Sequence, residues 1–169
     1  MTDAGIRRMR LADIDAVTAL EREIFSDAWS RDTFHQEVVN TRGTMPVVLE
    51  DNETGDLLAY MVAWTVADEA HLGNVAVVPA RRGEGLAQRL LDYLESAARG
   101  RAARMIVLEV RRSNTPARRL YEKNGYYPVM VRKRYYADNK EDALVMVKPL
   151  DKSGRLRRLE DEALPEGEV

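Results

Sequence analysis

The sequence NVAVVPARRGEGLAQRLLDYL occupies residues 74–94 and contains three recognisable parts in succession. The β-branched apolar run Val75–Val78 is typical of a buried strand. Pro79 ends this run, because proline has no backbone N–H to donate and its φ is fixed. After a short loop, leucines recur at helical spacing over Leu86–Leu94. The stretch therefore predicts a strand, a glycine-containing loop and a helix.

The loop between this strand and this helix has the features of an anion-binding site. Backbone N–H groups in the first turn of a helix have no acceptor within the helix, and the helix dipole makes that end positive. Gly83 and Gly85 carry no side chain that would keep a ligand away from the backbone. A phosphate or pyrophosphate is the natural ligand of such a loop. A lone Gly-x-Gly can equally be a simple turn, so the loop alone leaves both interpretations open.

The composition restricts the class of protein. The chain has 169 residues, enough for one domain with a sizeable core, and it contains no cysteine. Disulfides, thiolate metal sites and a cysteine nucleophile are therefore excluded, and two histidines without a third ligand predict no metal site. The 26 basic and 28 acidic residues leave a net charge of −2, which argues against direct nucleic-acid binding.

The hydrophobic pattern also gives an expectation for location and assembly. No apolar run approaches the roughly 18 residues that a membrane span needs, and the first residues lack the apolar segment of a signal peptide. We therefore expect a cytoplasmic protein without a membrane partner. We expect a monomer.

The local sequence also predicts the character and the ends of several elements. The segment Leu57–Val66 is the expected central strand, because it is apolar on both faces. Ser30 and Asn114 are the expected N-cap residues of two helices, and residues 126–136 and 143–147 form the expected closing pair of strands.

The periodicity of apolar residues predicts the element order β-α-α-β-β-β-α-β-α-β-β. Hairpin connections alternate with helical crossovers, so we expect an α/β fold with a mixed central sheet. Residues 1–150 form the predicted domain. Residues 151–169 are rich in charge and predict a flexible C-terminal tail, with a short docking helix as the alternative.

The element order and the loop together resemble the GNAT family of N-acetyltransferases. The acetyl-CoA loop of that family has the form Gln/Arg-x-x-Gly-x-Gly/Ala, which the segment 82–87 matches, and the resemblance extends over residues 5–149. Within the family, several segments are similar to the bacterial RimI type, which acetylates the N-terminal alanine of a small-subunit ribosomal protein. These segments include Trp29-Ser30, Leu108-Glu109-Val110-Arg111, Leu120-Tyr121-Glu122, Asn124-Gly125-Tyr126 and Arg134-Tyr135-Tyr136.

The resemblance implies that acetyl-CoA is the cofactor. In the family, backbone amides of the loop hold the pyrophosphate, and the pantetheine arm lies along the preceding strand like an added strand. A backbone amide of Val77 or its neighbour would polarise the thioester carbonyl. The residues expected to contact acetyl-CoA are Val75, Ala76, Val77, Arg82, Gly83, Glu84, Gly85, Leu86, Ala87, Gln88 and Asn114.

The resemblance also nominates two catalytic residues. Glu109, at the end of the predicted strand 105–110, would accept a proton from the amine, directly or through water. Tyr121 lies two helical turns after Asn114 and would protonate the departing thiolate, since a phenol is a proton donor at neutral pH. Each has a structural alternative, a surface ion pair with Arg111 or Arg112 for Glu109 and a core position for Tyr121. We favour catalysis because both residues occur in register with the loop.

The site that binds the acceptor amine is predicted from residues near the turn of the chain's last hairpin. Tyr135 and Tyr136 should form the wall of the acceptor groove, with one of the pair in the core because strand neighbours point in opposite directions. Glu141 and Asp142 either attract a basic peptide N-terminus or only keep the hairpin soluble, and both interpretations stay open.

These observations predict transfer of an acetyl group from acetyl-CoA to the N-terminal α-amine of a protein, in the RimI manner, by direct attack in a ternary complex. Acetylation of a lysine or a small amine is the alternative, and a non-catalytic acyl-CoA-binding module is a further one. A dinucleotide-dependent oxidoreductase is disfavoured, because Gln88 stands where the third glycine of its fingerprint belongs.

Overall fold

The computed structural model describes residues 3–159. The contacts divide the chain into two compact units, the first ending at Ala103 and the second beginning at Arg104. The strands and α-helices follow the predicted order along the chain. No helix within the described residues is both long enough and apolar enough to cross a membrane.

The first unit contains antiparallel strands together with α-helices. Its elements are β1 (Ala4–Arg8), α1 (Ile14–Ile24), α2 (Arg31–Val39), β2 (Thr44–Asp51), β3 (Leu57–Val66), β4 (Glu69–Val77) and α3 (Leu86–Gly100). The strands pair in chain order, β1 with β2, β2 with β3 and β3 with β4. Residues 58–63 of β3 are buried on both faces, as predicted for a central strand.

The core of this unit forms because α1 has one apolar face. Ile14, Val17 and Leu20 lie on that face at helical spacing and are buried. They pack in one cluster with Phe34 of α2 and Tyr60 of β3. Before α2, Ser30 is the predicted N-cap residue, and its side chain accepts a hydrogen bond from the backbone N–H of Thr33 at 3.1 Å.

The described part of the second unit contains antiparallel strands and an α-helix. Its elements are β5 (Met105–Arg111), α4 (Thr115–Lys123), β6 (Tyr127–Arg132) and β7 (Ala143–Pro149). Strand β7 lies between β5 and β6. Asn114 is the N-cap residue of α4 as predicted, because its side chain accepts a hydrogen bond from the N–H of Ala117 at 3.2 Å.

The predicted strand through Tyr136 is wrong at its C-terminal end. β6 stops at Arg132, and Arg134 has a φ of +52°, a left-handed conformation that a regular strand does not contain. Tyr135 and Tyr136 therefore lie in the connection between β6 and β7. Neither is a core residue, so the expectation that one of the pair would be buried is also wrong.

The first part of the predicted tail has defined contacts with this second unit. Asp151 caps a short turn by accepting hydrogen bonds from the N–H groups of Ser153 and Gly154, at 2.8 Å and 3.1 Å. The hydroxyl of Tyr127 bonds to both backbone groups of Leu156, and the N–H of Leu159 donates to the carbonyl of Pro128 at 2.8 Å. Residues 160–169 of the predicted tail lie outside the described residues.

Candidate active site

The glycine loop of the first unit is shaped by its backbone conformation. Residues 79–81 form a single 3-10 turn after β4, and α3 begins at Leu86. Gly83 and Gly85 have φ values of +81° and +76°, which residues with a side chain rarely adopt. A Cβ atom added at either glycine would meet nothing within 4 Å. The two glycines are therefore required by the turn, and the space before them is open.

The start of α3 presents a group of backbone donors. Within residues 3–159, the N–H groups of Gly83, Gly85, Leu86 and Ala87 donate to no protein acceptor. The hydrogen bonds of the helix begin with the N–H of Arg89, which donates to the carbonyl of Gly85 at 3.1 Å. These donors lie at the positive end of a helix of 15 residues, so the arrangement suits a bound anion.

Two charged residues brace this loop from the side. Arg81 donates to both carboxylate oxygens of Glu84, at 2.8 Å from Nε and 3.1 Å from Nη2. The carboxylate of Glu84 is thus paired with Arg81. The predicted contact of residue 84 with the cofactor is therefore left to its backbone. Arg82, the arginine of the family motif, is exposed.

Strand β4, which leads into the loop, contains a bulge that the sequence analysis did not predict. Val62 of β3 pairs with Asn74 and Ala63 pairs with Leu72, so Gly73 is the extra residue. A Cβ atom on Gly73 would overlap the ring of Trp64 and would lie 3.2 Å from Cη2 of Trp29. The absent side chain is therefore what allows the two indoles to cover the bulge.

Beside the bulge lies a buried carboxylate that the sequence analysis also missed. Glu21 of α1 is 1% exposed. Asn74 Nδ2 donates to both of its oxygens at 2.8 Å, the N–H of Trp29 donates at 2.9 Å, and the hydroxyl of Tyr60 also donates to it. Position 21 falls on the apolar face of α1, one turn beyond Val17, and that position is the signal that indicates burial.

Burial changes the pKa values of both Glu21 and Tyr60. It raises the pKa of Glu21, and the hydrogen bonds from Trp29, Tyr60 and Asn74 oppose that rise. It also raises the pKa of the Tyr60 phenol, and the hydrogen bond to Glu21 adds to this effect. Since every partner of Glu21 acts as a donor, the contacts suit an accepting carboxylate.

The predicted base, Glu109, lies on β5 in the second unit. Its side chain is 25% exposed, and Oε1 is 3.5 Å from Nη2 of Arg132 at the end of β6. The alternative interpretation proposed an ion pair with Arg111 or Arg112. Arg111 instead binds Asp138 at 2.9 Å, so the ion pair of Glu109 is made with Arg132.

The predicted acid, Tyr121, is buried in α4. It is 7% exposed, and its ring lies 5.7 Å from that of Tyr126. Burial raises the pKa of the Tyr121 phenol to about 12, so the residue keeps its proton at neutral pH. In the part of the chain that the structure describes, its hydroxyl has no hydrogen-bond partner. Tyr121 can therefore act as a donor and not as a base.

The connection between β6 and β7 holds the four predicted acceptor residues. Tyr135 and Tyr136 meet edge to face at 5.1 Å, and Tyr135 is 46% exposed. Ser113 donates to both oxygens of Glu141, at 2.8 Å and 2.6 Å. Asp142 accepts a hydrogen bond from the backbone N–H of Arg134 at 2.9 Å, and this bond is the main cause of the lowered pKa of its carboxyl. Both acids therefore help to fold the connection.

The structure thus groups the predicted residues by unit. The first unit contains the cofactor segment of residues 75–77 and 82–88, and the second contains Glu109, Asn114, Tyr121 and the acceptor residues. No group of three potential metal ligands occurs among residues 3–159.

The acetyltransferase (GNAT) family model matches residues 14–126, more than half of the chain, and the protein belongs to this family. The predicted α/β GNAT fold and the predicted N-acetyltransferase activity are confirmed by this match.

Individual proteins and solved structures are also similar to this chain. A Bacillus subtilis (strain 168) protein named as a candidate ribosomal protein bS18-alanine N-acetyltransferase is 40% identical over 145 residues, covering 86% of this chain and 95% of the relative. The crystal structure of the ribosomal-protein-S18-alanine N-acetyltransferase from Escherichia coli has a TM-score of 0.79 at 30% identity and covers 92% of this chain and 99% of that one. An Arabidopsis thaliana NAA60 structure in complex with acetyl-CoA has the same TM-score at 20% identity, a likeness of fold alone, covering 87% and 99%.

Proposed function

We propose that this enzyme transfers the acetyl group of acetyl-CoA to the N-terminal alanine of a small-subunit ribosomal protein, in a ternary complex. The observation that carries the proposal is similarity over almost the full length of relatives whose names give that acceptor. The catalytic domain is residues 1–150, and residues 151–169 are an appendage to it. We further propose that the enzyme works as a monomer in the cytoplasm, where such an acceptor is made.

The residues of the first unit suit acetyl-CoA. The amides of Gly83, Gly85, Leu86 and Ala87 would hold the pyrophosphate, and the open space before the two glycines allows close approach. Arg82 adds positive charge, and the backbone of residues 75–77 would align the acyl arm. Asn114, exposed at the start of α4, is proposed as a further contact. The cofactor, when bound, supplies an acetyl thioester for attack by an amine.

Glu109 and Tyr121 have separate proton roles in this proposal. The amine nitrogen forms a bond to the acetyl carbon and the bond from that carbon to sulfur breaks, so one proton leaves nitrogen and one reaches sulfur. Glu109 takes the first, directly or through water. Tyr121 donates a hydrogen bond and then its proton to sulfur. Because its phenol is a weaker acid than a thiol, whose pKa is about 8.5, the proton moves only late in the step.

The acceptor peptide is proposed to bind at the connection between β6 and β7. Tyr135 is exposed there, and the half-buried Tyr136 meets it edge to face. Glu141 and Asp142 place negative charge beside it, partly offset by Lys133 and Arg112.

A peptide panel tests the acceptor. The wild-type protein is incubated with acetyl-CoA and peptides that begin with Ala, Ser or Met, together with an N-terminally blocked peptide containing lysine and a polyamine, and products are read by mass. We expect one acetyl group on the free Ala terminus and none on the blocked peptide. Acetylation of lysine or polyamine alone would replace the proposal with the corresponding alternative. Binding of acetyl-CoA without any product would indicate a non-catalytic module.

A further inference from the structure

Glu21 is a charged group in an apolar environment. Its side chain lies where α1 packs on β3, against Tyr60 and the surrounding hydrophobic cluster. Removing a carboxylate from water destabilises a protein unless the charge is compensated. Glu21 forms no ion pair with any residue from 3 to 159, so its compensation comes from neutral hydrogen-bond donors. A costly group of this kind points to a functional or a strained site.

The donors to Glu21 come from three separate segments. Trp29 belongs to the segment between α1 and α2, Tyr60 to β3, and Asn74 to the bulge of β4. Both carboxylate oxygens accept, because Asn74 Nδ2 is 2.8 Å from each of them. One side chain of α1 thus fixes the relative positions of two strands and of the segment that carries Trp29.

Asn74 connects this network to the strand that precedes the glycine loop. Its Oδ1 accepts a hydrogen bond from the N–H of Val75 at 3.1 Å, so both ends of its amide are engaged. Val75 is the first residue of the cofactor segment, and Gly73 on the other side lies under the rings of Trp29 and Trp64. The conformation of β4 from Gly73 to Val75 therefore depends on the acceptor that Glu21 provides.

We propose that Glu21 is a positioning residue for acetyl transfer. Through its hydrogen bonds with Asn74 and Trp29, it holds the β4 segment that begins at Val75 in the conformation that binds acetyl-CoA. The role rests on the proposed use of residues 75–77 in cofactor binding. In this role Glu21 acts through its hydrogen-bond partners, by restricting the conformations of the strand before the ligand binds.

Glu21→Gln tests this role, with Glu23→Gln as the matched control, an exposed glutamate on the same helix. The substitution at position 21 keeps the shape of the side chain but replaces one accepting oxygen with a donor. We expect the KM for acetyl-CoA to rise about tenfold or more with a smaller change in kcat, since small displacements near a site have effects of this size. We also expect faster hydrogen exchange of the amides of residues 75–77 in the free protein. Glu23→Gln should match the wild type in both measurements.

The melting temperature separates positioning from general stability. The change Glu21→Gln loses an acceptor among buried donors but also removes the cost of a buried charge, and these effects oppose each other, so the melting temperature should stay within about 4 °C of the wild-type value. Should Glu21→Gln not fold, Tyr60→Phe removes a single donor and keeps the ring contact with Phe34, and its KM should rise about threefold. Wild-type KM in a folded Glu21→Gln protein, or in Tyr60→Phe if that variant alone folds, would overturn the inference.

The same experiment distinguishes this inference from the proposed function. If the wild-type protein acetylates no peptide or amine, the proposed function fails. The exchange rates of residues 75–77 in Glu21→Gln and Glu23→Gln still test whether Glu21 orders the strand. If the wild type is active and both variants have its KM for acetyl-CoA and its exchange rates at residues 75–77, only the role of Glu21 is disproved.

Discussion

At the scale of single residues, the surroundings of Tyr121 and Glu109 differ in a way that suits opposite proton roles. Tyr121 is enclosed in α4 with its pKa raised to about 12, which keeps the phenol protonated. Glu109 is partly open to solvent and lies beside a guanidinium, that of Arg132. A protonated phenol can give a proton, and a carboxylate reached by water can take one.

Tyr121→Phe should lower kcat about 100-fold and leave the dissociation constant of acetyl-CoA within twofold of the wild-type value. The variant loses one hydroxyl but keeps the buried ring, and general acids contribute factors of about 10²–10⁴. Steady-state kinetics and a binding titration measure the two quantities. Tyr93→Phe, at a more exposed tyrosine of α3, is the control and should have the wild-type kcat. A wild-type kcat for Tyr121→Phe would remove the residue from the mechanism.

Glu109→Gln should lower kcat about 100-fold at neutral pH. In the proposed mechanism the carboxylate of Glu109 accepts the proton of the amine, and the amide of glutamine cannot. Steady-state kinetics with acetyl-CoA and an Ala-started peptide measure kcat. Glu122→Gln, at an exposed glutamate of α4, is the control and should keep the wild-type kcat. An unchanged kcat in Glu109→Gln would show that another group is the base.

At the scale of elements, one arginine joins β1 to the start of α1 and to β2. Arg7 Nη1 is 2.7 Å from Asp13 Oδ2, and Nη2 is 2.7 Å from Glu50 Oε2. The hydrogen bonds from Arg7 lower the pKa of both carboxyls below their ordinary values. The ionised forms therefore stabilise the fold. Their contribution is complete above about pH 5 and is lost as the pH falls through the lowered values.

The free energy of unfolding of the Arg7→Met variant should depend less on pH than that of the wild type. Between pH 6 and pH 3 the wild type should lose about 1 kcal/mol more free energy of unfolding than the variant, the upper range for partly exposed pairs. Urea unfolding at the two pH values measures the difference. Arg31→Met is the control, because its partner Asp15 is 82% exposed, and it should follow the wild type. Equal acid losses in Arg7→Met and the wild type would contradict the prediction.

The order of elements could be predicted from the sequence because local signals were strong. Alternation, helical spacing and the caps Ser30 and Asn114 each depend on residues a few positions apart. The bulge at Gly73 and the environment of Glu21 could not be predicted in this way. Two of the partners of Glu21, Tyr60 and Asn74, lie 39 and 53 residues away, and only the folded sheet brings them to α1.

In the candidate site, as in the fold, the local features could be predicted and the long-range contacts could not. The glycine loop depends on local conformation, and both of its glycines have the positive φ that such a turn requires. The setting of Tyr135 and Tyr136 was mispredicted, because two tyrosines in a row favour a strand while Arg134 turns the chain out of one. The ion pair of Glu109 with Arg132 joins β5 to β6 across β7, a pairing that neighbouring residues do not reveal.

At the scale of the whole molecule, ligand binding should be visible as stability. A ligand that binds only the folded state adds about 2.7 kcal/mol at 100 times its dissociation constant. For a chain of this length, that amount raises the melting temperature by about 5–10 °C. Acetyl-CoA should produce such a shift. NAD at the same concentration should not, and stabilisation by NAD alone would contradict the assignment of the loop.

The position of β7 between β5 and β6 has a consequence for how the protein is made. On the ribosome the chain emerges from its N-terminus, so the strands of the first unit are complete well before residues 143–149 appear. Within the second unit, β6 pairs with β7, which is synthesised after it, and β7 also pairs with β5. The residues of β6 must therefore remain unpaired in the nascent polypeptide until the last strand has been translated.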